Sequence, residues 1–145
     1  MADWKIRRAT LRDYEALAAC IHKAYAGYRK HIHDLPPVSA GIDDDIEANL
    51  VWVAERDRVV VGGLVLILQD DHAILANIGV DPDCSGMGIG RGLIERAESR
   101  CRKLGKRELR LSTHVAMPDN VRLYQHLGWT ETARAGNKVY MTKHL

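Results

Sequence analysis

Cysteine is scarce in this chain and badly placed for cross-linking: Cys20, Cys84 and Cys101 are odd in number, far apart and never part of a C-x-x-C pair. This argues against a disulfide framework and a structural zinc site, and predicts reduced thiols inside a cell. No run of eighteen apolar residues occurs anywhere, and the opening MADWKIRRAT lacks the apolar stretch of a signal peptide. A soluble, cytoplasmic protein with no membrane partner is therefore expected. Charge of one sign is missing too. With 21 basic and 19 acidic residues the formal net charge is only +2, too balanced for nucleic-acid binding to be the main activity, and no nucleic-acid partner is expected. Internal repeats and low-complexity segments are absent.

What is present suits one globular unit. The 145 residues are 46% hydrophobic and 28% charged, enough for one substantial core and short for two, so residues 1–145 are read as a single domain. A short strand over 3–8 precedes a capped start at Thr10 and Asp13 and a helix over about 11–26. That helix would bury Leu11, Tyr14, Leu17, Ala18, Ile21 and Tyr25 in one stripe. Residues 27–45, with Gly27, Gly41 and Pro36-Pro37, read as mostly irregular, with a short helix starting near the aspartates at 43. Strands follow at 50–55 and 58–68, joined across Arg56 and Asp57, and at 72–80. The second of these is almost wholly apolar, as a strand covered on both faces would be, and its Gly62-Gly63 pair marks a bulge or a close contact.

Behind a glycine-rich run, Leu93, Ile94, Ala97, Cys101 and Leu104 form a helical stripe ended by Gly105. A strand over 107–113, a helix over about 119–127 closed by Gly128, and a hairpin of 130–135 with 138–144 turning at Gly136-Asn137 complete the chain. The fold class expected is α+β, with antiparallel strands interrupted by helices.

The run itself, DCSGMGIGRGL, places glycine at 86, 88, 90 and 92. Glycine between a strand and a helix frees the backbone to bend and to approach a ligand, and bares N–H groups at the positive end of the helix, where an anion such as pyrophosphate binds. A P-loop is excluded because no Gly-Lys-Ser or Gly-Lys-Thr occurs. A dinucleotide-binding G-x-G-x-x-G fails because position 93 is Leu and the run lies mid-chain after antiparallel strands.

Residues 80–97, VDPDCSGMGIGRGLIERA, resemble the acetyl-coenzyme A motif of the GNAT acetyltransferase superfamily, Q/R-x-x-G-x-G/A. Gly88 and Gly90 match its small positions, and Ser85 stands where the family has Gln or Arg. Residues 119–132, DNVRLYQHLGWTET, resemble its second motif through Asn120, Tyr124, Gly128 and Trp129. The resemblance implies a twisted, mostly antiparallel sheet of about seven strands flanked by about four helices and splayed in the middle to hold the cofactor.

It also implies acetyl transfer from acetyl-coenzyme A, the acetyl donor, to a primary amine of a small molecule or a protein, without metal. Ile78, Gly79 and Val80 would offer backbone to the pantetheine arm. Ser85, Gly86, Met87, Gly88, Ile89, Gly90 and Arg91 would cradle the pyrophosphate, with Asn120 and Tyr124 completing the cofactor site. A main-chain N–H near Gly79 or Val80, at a bulged strand end, is the expected stabiliser of the carbonyl oxygen. Tyr124 is the candidate general acid to the departing thiolate.

Tyr25, Tyr28, His31 and His114 are candidate substrate contacts. The general base is left open among Glu55, His72, His114, His31, His33 and Asp34. A homodimer is compatible with the family. The other class open to this sequence is a coenzyme A-binding regulatory or interaction module without turnover. Arg91, Arg96, Arg100, Arg102, Lys103, Lys106 and Arg107 cluster on and after the third main helix, and Glu95 and Glu98 between them read as making it a solvated face.

Overall fold

A computed structural model describes residues 3–29, 32 and 41–145. The strands are β1 (Trp4–Arg8), β2 (Leu50–Arg56), β3 (Val59–Leu68), β4 (His72–Val80), β5 (Glu108–His114), β6 (Thr130–Ala135) and β7 (Lys138–His144). The helices are α1 (Tyr14–Arg29), α2 (Ile42–Ala48), α3 (Ile89–Lys103) and α4 (Pro118–His126). All seven strands join one sheet in the order β1-β2-β3-β4-β5-β7-β6. Every neighbouring pair is antiparallel except β4 and β5.

That one parallel pair matters most. β4 and β5 are in register only at His72↔Glu108, Ala73↔Leu109 and Ile74↔Arg110, so beyond Ile74 the sheet splits and β4 runs on with one edge free of β5. The expected splay is present.

Two cores fill the faces of the sheet. On one, Leu17, Ile21 and Ile42 from α1 and α2 pack on Val51, Val53 and Val65. On the other, Ile89, Leu93, Ile94, Ala97 and Cys101 of α3 and Val121 and Tyr124 of α4 pack on Leu64, Leu66, Leu109 and Leu111. Leu64, Leu66 and Leu93 are fully buried, each contributing about 2 kcal/mol of apolar transfer. Apolar side chains alternate between these cores along β3, which is why its sequence is apolar throughout.

Several local expectations shift. The chain enters α1 through a 3-10 turn at Leu11–Asp13, and Leu11 and Tyr14 are exposed rather than in the stripe. α1 continues through Gly27 to Arg29, so the irregular segment starts later than Gly27 implies; residues 30, 31 and 33–40 lie outside the described residues. The β2–β3 turn falls on Asp57 and Arg58, not Arg56 and Asp57, and both carry positive φ (52° and 65°), the backbone of a type I′ turn. No glycine announces it. The Gly62-Gly63 pair serves both expected ends: the β2–β3 register slips beside Gly62, and a Cβ on Gly63 would lie 2.2 Å from Leu17 Cδ1.

Asp13 anchors the start of α1. Its buried carboxylate accepts both Arg7 guanidinium N–H groups at 2.8 Å and the Thr10 N–H at 2.8 Å. The Arg7 hydrogen bonds hold its pKa below the usual carboxylate range. A lowered folded-state pKa gives stability that is present above the unfolded value near 3.8 and lost as pH falls through the folded one. Asp13→Asn is therefore expected to lose about 1–3 kcal/mol at pH 7 and less at pH 3, read from urea midpoints at both pH values.

Candidate active site at the split of the sheet

Where β4 and β5 part, a cleft of about 250 Å³ opens. Because the sheet is interrupted there, residues from both faces reach it: Ala24, Tyr25 and Tyr28 from α1, and Asn120, Leu123 and Tyr124 from α4. Ile78, Gly79 and Val80 form its strand wall, and Gly90, Arg91 and Ile94 its α3 wall.

The strand wall has a definite hydrogen-bond phase. The Asp81 N–H donates to the Val61 carbonyl at 2.8 Å, and β3 and β4 stay in register from Gly62↔Val80 to Val65↔Asn77. Antiparallel pairs alternate, so Gly79 and Asn77 turn their N–H and C=O to β3, whereas Ile78 and Val80 turn theirs to the split. Tyr25 uses one of these groups, its hydroxyl donating to the Ile78 carbonyl at 3.2 Å. Gly79 therefore has no N–H to offer a ligand. Its missing side chain serves α1 instead, since a Cβ there would sit 3.3 Å from the Ile21 backbone and from Ala24. The irregularity of β4 also lies elsewhere than the strand end: Leu66↔Leu75 follows Val65↔Asn77, leaving Ala76 as the extra residue.

The loop after β4 turns through a 3-10 turn at Pro82–Cys84, and Gly86 and Gly88 both have positive φ (79° and 82°). Gly88 caps α3, whose first return bond is from the Gly92 N–H to the Gly88 carbonyl at 2.9 Å. The N–H groups of Ile89, Gly90 and Arg91 are thus left without helical partners. No acidic residue stands in this first turn, whereas α2 opens on Asp43, Asp44 and Asp45. The positive end of α3 is bare and fits a phosphate.

Trp4 fixes the loop by donating from Nε1 to the Met87 carbonyl at 3.1 Å. The Ser85 N–H is spent on the Pro82 carbonyl at 3.3 Å, so at that position only the hydroxyl is available to a ligand. The Ile89 side chain is buried in the core, leaving backbone alone for a ligand.

Tyr124 is buried and its ring packs on Trp129, centroids 5.7 Å apart at 60°. Burial, with Tyr25 close by, pushes its phenol well above the ordinary value near 10. Burial does the same for Tyr25, beside Tyr28. Both phenols are neutral donors at neutral pH. Asn120, one turn before Tyr124, faces the same cleft, and its amide donates to Met117 Sδ at 3.4 Å.

The remaining candidates are not brought here. His114 lies at the end of β5, with Nδ1 accepting the Ala116 N–H at 3.0 Å. His72 lies at the opposite end of β4 with Nδ1 2.7 Å from Asp71, and Glu55 is paired with Arg7. None of the three lines the cleft. His31, His33 and Asp34 lie outside the described residues. Ala24, Ile94, Leu123 and Leu127, which supply the cleft's apolar lining, carry no chemical signal in sequence. Only the pairing of two distant helices across a split sheet reveals them.

Comparison with known proteins agrees with this architecture. Over 61 residues the chain is 38% identical to the [Ribosomal protein bS18]-alanine N-acetyltransferase of Escherichia coli (strain K12), a match covering 42% of this chain and 41% of that protein. The aligned stretch is thus less than half the length of that relative. The fold matches the coenzyme A complex of the PaiA N-acetyltransferase of Thermoplasma acidophilum with TM-score 0.86 and 22% identity, over 98% of this chain and 99% of that one. It matches the ribosomal-protein-S18-alanine N-acetyltransferase of Escherichia coli with TM-score 0.76 and 22% identity, over 97% and 93%. Residues 14–129 fit the model of the acetyltransferase (GNAT) family, and the chain belongs to that family.

Proposed function

We propose that this protein transfers an acetyl group from acetyl-coenzyme A to a primary amine, of a small molecule or of a peptide. The observation that carries this reading is the convergence on one cleft of three things: the bare start of α3, the N–H groups of Ile78 and Val80, unpaired among the described residues, and the buried phenol of Tyr124. Family membership supports it, and the names of the relatives, which speak of alanine in a ribosomal protein, are a reason to include alanine-bearing peptides in the acceptor panel.

When bound, acetyl-coenzyme A supplies an acyl carbon activated as a thioester. The N–H groups of Ile89, Gly90 and Arg91, with the loop at Gly86 to Gly88, hold the pyrophosphate. The Ile78 and Val80 backbone aligns the pantetheine amides as a further strand would. The N–H of Val80 or Ile78 stabilises the negative charge that grows on the carbonyl oxygen as the amine attacks. As the carbon–sulfur bond breaks, the Tyr124 hydroxyl donates to the sulfur. Its raised pKa makes it a hydrogen-bond donor first; proton transfer to the thiolate completes when the proton released by the amine replaces it. Asn120 positions the cofactor from the same helix face.

The test has two stages. A thermal shift is run with acetyl-coenzyme A, coenzyme A, ATP and NAD, since a ligand held only by the folded state at about 100 times its Kd adds about 2.7 kcal/mol. The coenzyme A pair alone is expected to raise the melting temperature. Thiol release over a panel of amines then reads turnover. Binding without turnover on any amine would assign a non-catalytic coenzyme A module instead, and no binding would overturn the reading altogether.

A further inference from the structure

The cationic run on and after α3 is not neutralised by its own glutamates. Glu95 is engaged by Arg91, at 3.3 Å. Glu98 is turned into the core and paired with Lys143 of β7. Lys106 is tied by its ammonium to the carbonyls of Gln69 and Asp70 at 2.6 and 3.1 Å. Of the cations that remain, Arg96, Arg100 and Lys103 form a stripe on one face of the helix, spaced by four and three residues. Arg8 of the edge strand β1 lies alongside, its guanidinium carbon 5.7 Å from the centroid of the Trp52 ring.

These four cations, with Ser99 and Trp52, line a groove of about 270 Å³ between β1 and α3. No carboxylate lines it, and none of the four cations has an ion-pair partner among the described residues. The groove is separate from the cleft, which takes Gly90, Arg91 and Ile94 from the same helix.

We propose that this groove binds the phosphodiester backbone of a single-stranded nucleic acid. Three of its four cations are arginines, whose planar forks match phosphate oxygens. The stripe from Arg96 to Lys103 is about 10 Å long at 1.5 Å per residue, the rise of about three nucleotides of one strand. Trp52 is only 3% exposed, so it holds Arg8 in place and offers no base a stacking surface; recognition is of backbone, not sequence. The absence of an exposed apolar side chain from the lining leaves neither the hydrophobic centre of a protein interface nor the inserting face of a membrane-bound helix. The proposal stands whether or not the acetyl-transfer reading does.

The experiment is fluorescence anisotropy with a labelled single-stranded RNA of about twenty nucleotides, titrated between about 50 and 200 mM salt. With four phosphate contacts the slope of log affinity against log salt is expected near −2.8. The triple variant Arg96→Ala, Arg100→Ala, Lys103→Ala is expected to reduce it to about −0.7 and to weaken binding at least about tenfold at the lower salt. The three residues are exposed on a helix, so its melting curve should stay that of the wild type. Arg134→Ala, on the far edge of the sheet, should leave the slope unchanged. A wild-type slope in the triple variant overturns the proposal. So does displacement of the RNA by acetyl-coenzyme A, which would place it in the cleft. Equal competition by polyglutamate would assign the groove to an acidic protein, and binding to anionic vesicles in preference to RNA would assign it to a membrane surface; either outcome also overturns it.

Discussion

Replacing Tyr124 with Phe is expected to slow acetyl transfer by about 10²- to 10⁴-fold while leaving acetyl-coenzyme A binding nearly unchanged. The ring of Phe can keep the packing against Trp129, 5.7 Å between centroids in the wild type; only the hydroxyl, proposed to donate to the sulfur, is removed. The loss should appear in kcat, with KM for acetyl-coenzyme A and the melting temperature close to wild type. An unchanged kcat would reduce Tyr124 to a packing residue. The pH profile adds a second reading. Burial raises the Tyr124 phenol above its ordinary 10, which favours the neutral, donating form. The rate should therefore rise as the acceptor amine loses its proton and show no decline from Tyr124 below pH 10, the descending limb lying above it. The same raised pKa leaves stability intact below pH 10 and erodes it above, where the unfolded chain ionises first.

The elements were legible in the sequence wherever a local rule decided them. Gly136-Asn137 places the last turn, and its strands are observed at 130–135 and 138–144 as expected. Gly105 ends α3 at positive φ. Where the outcome depends on partners far along the chain, the sequence reading stops short. Gly79 reads as a ligand contact, yet its bare face receives α1, because the phase of the β3–β4 ladder is set at Val61 and Asp81. Glu95 and Glu98 read as making the basic helix a solvated face, but Glu98 points inward to a lysine 45 positions later. Tyr25 and Tyr124 are both legible as candidates. That they share one cleft from opposite faces follows only from the early parting of β4 and β5.

The second large effect is expected from that inward pair. Lys143 is about one-fifth exposed and Glu98 less than a tenth, and the Lys143 ammonium also donates to the Leu127 carbonyl at the end of α4 at 2.8 Å. Lys143→Ala would leave a buried carboxylate and a helix-end carbonyl without their cation, at a loss of about 3 kcal/mol. For a chain of this size that is a drop of roughly 6–12 °C in Tm. Adding Glu98→Leu should recover most of it, because a buried charge is costly chiefly when its partner is gone. A single variant that melts like the wild type, or a double variant no better than the single, would show the pair to be structurally idle. The consequence reaches the site. Glu98 lies on α3, whose first turn lines the cleft, and Leu127 follows α4, which carries Tyr124, so Lys143 ties together the two helices that wall the cleft. In the double variant, where stability returns without the tether, KM for acetyl-coenzyme A should remain raised.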